Sequence, residues 1–140
     1  MTKGDGEMKA WHFTDGDKLR YNDDRIPEIG VTLECEGKPD LCIHGMHGSK
    51  SIIDALGYAP GLIAWEVSLS GEMDIGSDKI SAKKRKPLAR HDLTPIIGEF
   101  AEWCAKRAKK HAHAAHAASA ARVAERKKQE KKLLNLMGVK

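Results

Sequence analysis

Four residues within a 13-residue window could hold a soft metal ion: Cys35, Cys42, His44 and His47. Thiolate sulfur and imidazole nitrogen are the ligands zinc prefers. Residues two apart on a strand point the same way, so Cys42 and His44 could converge. The spacing, C-x6-C-x-H-x2-H, matches no common zinc finger, and a buried thiol with polar loop histidines explains the same letters, so no metal is expected. His111, His113 and His116 form a second group in "HAHAAH". On a helix His113 and His116 would share a face. Solvated histidines that add positive charge as pH falls toward about 6.5 are the simpler reading. The basic tetrad Lys83–Lys86, "KKRK", would alternate faces on a strand, and lysines commonly guard an edge strand in this way.

Elements must position these groups. "KAWHFT" alternates and reads as a first strand, and "IGVTLECEG" as a second; Leu41–Ile43 is a short strand inside a loop. The glycines around His47 allow a sharp turn into a helix, "KSIIDALGY". Ser49 or Ser51 can cap it, Ile52, Ile53 and Leu56 form its apolar stripe, and "APG" stops it. "LIAWEVSLSGE" is the clearest strand: Ile63, Trp65, Val67 and Leu69 share one face, Ala64, Glu66, Ser68 and Ser70 the other. "DKISAKKRK" returns from a turn at Asp74–Asp78, and Pro87 ends or edges it. The class expected is α+β: a small, mostly antiparallel sheet with one short helix over residues 9–92, after a disordered leader, 1–8.

From Thr94 the pattern becomes helical. Thr94 supplies a capping hydroxyl, and Pro95 needs no N–H at the first position. A single long helix is expected over 93–140, from about Thr94 to Met137. Ala101, Ala105, Ala108, Ala112, Ala115 and Ser119 recur at spacings of four and three, a stripe of small residues that lets another helix approach closely. A homo-oligomer formed through this helix is one expectation. Alanine is also the best helix former, so the run needs no partner.

Charge divides along the same boundary. Residues 1–104 hold 13 Lys/Arg against 18 Asp/Glu, a net of −5, and residues 105–140 hold 11 against 2, a net of +9. That asymmetry points to an anionic macromolecule, acidic protein or nucleic acid, met by Lys106, Arg107, Lys109, Lys110, Arg122, Arg126, Lys127 and Lys128. Three cysteines without a CxxC pair fit a reducing compartment. No apolar run approaches a membrane span, and the first residues have no apolar signal core. A cytoplasmic protein with no membrane partner is expected.

"AWHFT", "LCIHGMHGSKSIIDALGYAPG", "VSLSGE" and "SDKISAKKRKPL" together resemble an uncharacterised family of phage and prophage proteins, many of which end in alanine-rich helices. The resemblance covers about residues 10–104. It implies an accessory protein of the bacterial host cytoplasm that binds a macromolecule, such as a host defence or nucleic-acid-processing complex, through the basic helix and the Cys42–Tyr58 region. A virion or assembly component is a further possibility.

A second resemblance concerns chemistry. Gly45-Met46-His47 followed by Ala55 and Tyr58 looks like the second motif of ADP-ribosyltransferases, and "WHFT" looks like the first. That resemblance implies NAD as cofactor, His12 and Thr14 at its ribose, and His47 and Tyr58 flanking the nicotinamide ring. Glu66 or Glu72 would be the catalytic glutamate. Outside that resemblance, no cofactor is expected.

Overall fold

The computed structural model describes residues 6–19, 23–41, 45–110 and 119–139. They fall into two compact units, Met1–Asp92 and Leu93–Lys140. The first holds β1 (Met8–Thr14), β2 (Leu33–Glu34), β3 (Met46–Gly48), α1 (Ile52–Gly57), β4 (Ile63–Ile75) and β5 (Ile80–Asp92). Every pairing is antiparallel, along the path β1-β4-β5-β2, with β3 also on β5. The class is α+β, as the sequence predicts. Met8 already belongs to β1, one residue earlier than expected, and the leader up to residue 5 lies outside the described residues.

The β4–β5 hairpin is the frame. Ile63, Trp65, Val67 and Leu69 are all buried and pack with Ala10, Ile80 and Ala82. Ala64 and Ser68, expected on the open face, are buried too, so this strand is covered on both sides. The turn closes where Gly76 N–H donates to Lys79 O at 2.8 Å. Two register shifts bend the hairpin, one between Glu66 and Val67 and one between Ser70 and Met73. The second centres on Gly71, whose φ of 79° suits only glycine, and a Cβ there would lie 2.8 Å from Lys83 Cβ. Pro87 does not end β5. It stands opposite Val67 beside the first bulge, where a ring without an N–H is tolerated, and its carbonyl accepts from Gly30 N–H at 2.8 Å.

β3 pairs with Ile80–Ala82. Beyond it, Ser49 exchanges two backbone hydrogen bonds with Trp11, of 2.7 and 2.9 Å. The path β1, β4, β5, β3 therefore returns to β1, and one end of the sheet closes on itself. The expected strand over Leu41–Ile43 gives way to Met46–Gly48, with Cys42 and Ile43 outside the described residues. The second expected strand shrinks to two residues, Leu33 and Glu34, which face Arg85 and Lys84. The basic tetrad is thus interior to the sheet, not on an edge. α1 starts as predicted: Ser51 Oγ accepts from Ile53 N–H at 3.1 Å, and Ile52 and Ala55 are buried.

The second unit departs from expectation. Its described part is two helices, α2 (Ile97–Lys110) and α3 (Ser119–Met137), not a single rod. Arg107 donates from Nε and Nη2 to the two carboxylate oxygens of Glu125, each at 2.7 Å. In one straight helix residues 18 apart would be separated by about 27 Å. Trp103 lies under Arg107 of its own helix, 4.9 Å from its centroid, and under Lys132 of α3 at 6.0 Å. The later contact on α3 meets the earlier residue on α2, so the helices run antiparallel. The face of α2 turned inward is Phe100, Trp103, Cys104 and Arg107, at helical spacing. Ala101, Ala105 and Ala108 are exposed, and Ala112 and Ala115 lie outside the described residues. Among the described residues no helix is long and apolar enough to cross a membrane.

Candidate functional site

A cleft of about 80 Å³ opens at the closed end of the sheet. β1 contributes Trp11 and His12, β3 and its flanks contribute Gly45 and His47, the C-cap of α1 is Tyr58, and β5 contributes Arg85. Gly45 makes this approach possible. Its φ is 117°, and a Cβ there would lie 1.9 Å from Ser81 Oγ. His12, His47 and Tyr58, far apart in sequence, line one space. His12 stands opposite Trp65 in the β1–β4 register, and its Nε2 is shut off from solvent. His47 Nε2–H donates to Leu41 O at 3.2 Å. Burial, countered in part by that bond, holds the His47 pKa below its ordinary 6.5, so the ring is neutral at physiological pH.

Tyr58 is no core residue. It is 41% exposed, its hydroxyl donates to Asp78 at 2.8 Å, and Lys79 Nζ lies 4.9 Å from its ring centroid. The bond to Asp78, with a little burial, raises the phenol pKa.

The other expected residues lie elsewhere. Thr14 is fully buried. Its hydroxyl accepts from Trp65 Nε1 at 2.9 Å and donates to Gly16 O, so it braces the sheet and does not face a ribose. Glu66 is off the cleft, its carboxylate 2.8 Å from His91 Nε2. Glu72 is exposed beside the Gly71 bulge and also off the cleft. The lining carboxylate is Asp23. Arg25 clamps it at 2.7 and 2.9 Å, and these hydrogen bonds hold its pKa below the usual carboxylate range. Of the cysteine–histidine quartet, Cys42 and His44 lie outside the described residues. Cys35 is buried against Ala82 O, and no metal-ligating cluster occurs among the described residues.

Sequence reasoning missed Arg85, Lys79 and Asp23. Arg85 is 5% exposed, and Nη1 donates to His47 O at 2.8 Å. It stands opposite Leu69 across the hairpin and opposite Leu33 of β2, between the two register shifts. A reading of "KKRK" as a uniform basic run hides that.

On the second unit, Lys106, Lys109, Arg122, Arg126, Lys127 and Lys128 are exposed. Arg107 is committed to Glu125, so its place in the basic contact is corrected to a structural one. The side chain of Lys110 is outside the described residues. Cys104 faces α3, and burial raises its thiol pKa, which makes it a poor nucleophile.

Fold and site together define a small antiparallel α+β domain with a cationic, aromatic-walled cleft, followed by a basic helix pair. The chain belongs to the DUF7666 family, a domain of unknown function, whose model matches residues 8–99. That span takes in the whole sheet and ends in the first turn of α2. No curated protein and no solved structure matches the chain.

Proposed function

We propose that the protein works by binding an anionic macromolecule through its helical unit. One observation carries this: six of the eight cations singled out in the sequence stand in solvent, while residues 93–140 hold 11 Lys/Arg against 4 Asp/Glu. Lys106 makes an i,i+4 pair with Glu102 at 3.3 Å, but both side chains are well exposed and the pair is weak enough to exchange for a partner. A phage or prophage setting, with a host defence or nucleic-acid-processing complex as target, goes with this reading and rests on the motif resemblance.

Titration of the whole chain against random-sequence duplex DNA and against polyglutamate, in rising salt, tests it. Each phosphate neutralised adds about −0.9 to the slope of log affinity on log salt, so six contacts lose about three decades between 50 and 200 mM. Lys127→Glu with Lys128→Glu should weaken binding further. Affinity flat in salt, or unmoved by the charge reversal, rejects the reading.

A second reading, NAD-dependent ADP-ribosyl transfer, is favoured by the meeting of His12, His47 and Tyr58 in one cleft. It stands second because Glu66 and Glu72 are off that cleft and Arg25 already holds Asp23. Calorimetric titration with NAD decides it. Saturable heat that Tyr58→Ala weakens and Tyr58→Phe preserves supports a stacking role for the ring, and the absence of heat removes the reading.

A further inference from the structure

Arg85 is a buried cation with no ion-pair partner of its own among the described residues. A guanidinium has five N–H donors. One of them reaches His47 O, and no carboxylate among the described residues forms an ion pair with Arg85. The nearest acidic influence, Asp23, is taken up bidentately by Arg25. For the other donors of Arg85 no hydrogen bond is seen among the described residues, and the residue lines the cleft. Lys79 lines the same cleft. The cleft lining thus holds one carboxylate, already clamped by Arg25, against Arg85 and Lys79, and His47 beside them is neutral. Burying a charge is costly unless it is paired, and breaking such a pair leaves the cost uncompensated. Burial pulls the Arg85 pKa down only to about 10, so the group is still charged at neutral pH.

We infer that the cleft binds the oxyanion of a small molecule, a carboxylate or a phosphate, with Arg85 as the principal ligand and Lys79 assisting beside Tyr58. The guanidinium fork matches both oxyanions. The cleft volume is that of several waters, well below the roughly 300 Å³ of a pocket that encloses a drug-sized molecule, so it suits an anionic headgroup and not a whole dinucleotide. The inference does not depend on the helical unit.

The test is calorimetric titration of the full chain with benzoate and, separately, with inorganic phosphate, together with thermal melts in each anion. The expected result is saturable binding at one site per chain in the millimolar range or tighter, and a melting temperature that rises with the anion. Arg85→Met should lower affinity at least about tenfold and abolish the rise in melting temperature, because a charge-assisted bidentate contact is lost. Lys9→Met, an exposed change on β1, should leave both intact. Benzoate alone binding identifies a carboxylate site, phosphate alone a phosphate site, and either supports the inference. No saturation with either anion, or equal affinity in the wild type and Arg85→Met, overturns it. Should Arg85→Met fail to fold, Lys79→Met carries the test: weaker anion binding at an unchanged anion-free melting temperature supports the site, and unchanged affinity overturns it.

Discussion

Gly45 and His47 show how much of the cleft depends on single residues. Gly45→Ala would place a methyl carbon on Ser81 Oγ and hold alanine at a φ of 117°. Backbone strain of this kind costs on the order of 1–3 kcal/mol, and overpacking a similar amount. The variant should melt well below the wild type in a calorimetric scan, and a melt within a degree or two would show that Ser81 yields freely. His47 gives a pH signature. Its folded pKa is depressed below 6.5 by burial, so the unfolded chain binds its proton first as pH falls. Stability should therefore be complete above 6.5 and decline below it until the folded pKa is passed. Denaturant midpoints between pH 5 and 8 should fall more steeply in the wild type than in His47→Gln. Parallel curves would mean the ring's burial does not control its proton. At this scale the sequence allowed His12, His47 and Tyr58 to be grouped, and the fold does bring them to one cleft. Arg85 was hidden, since its burial comes from strands paired on both sides of β5 by long-range contacts.

Among the elements, β4 and α1 could be read directly. Period-two alternation fixed one, and a serine cap with an apolar stripe fixed the other. β2 was drawn too long and β3 was misplaced because their bounds are set by partners on β5, from Gly48↔Ile80 to Leu33↔Arg85, which local composition does not encode. The reversal between α2 and α3 was invisible for a different reason. Alanine, lysine and arginine favour helix everywhere, so the letters read as one helix, and the pairing is written in Trp103, Arg107, Glu125 and Lys132. A double-mutant cycle on Arg107→Met and Glu125→Gln should give a favourable coupling, read as non-additive shifts in the melting of the helical signal. Additive shifts would mean the two side chains do not meet in solution.

For the molecule as a whole, charge is segregated by unit. Residues 1–92 hold 13 Lys/Arg against 16 Asp/Glu, and the excess of positive charge lies in the helices. The exposed Ala101, Ala105 and Ala108 lie on the part of α2 not turned to α3, so the proposed self-association has a surface to use. If it forms, Ala108→Glu should convert the wild-type oligomer to a monomer in sedimentation without loss of helical signal, since a carboxylate cannot enter a close helix contact. A wild-type monomer ends that proposal.

The double hydrogen bond between Trp11 and Ser49 has a consequence for motion. It welds the segment carrying His47 to the first strand, so this wall cannot swing outward without breaking two bonds at the seam of the sheet. Local opening of the cleft and opening of the sheet become one event. The amide protons of Trp11 and Ser49 should then exchange with deuterated solvent as slowly as those in the centre of β4, and together. A ligand entering the cleft meets the half-exposed ring of Tyr58 in a wall that the Trp11–Ser49 seam holds in place.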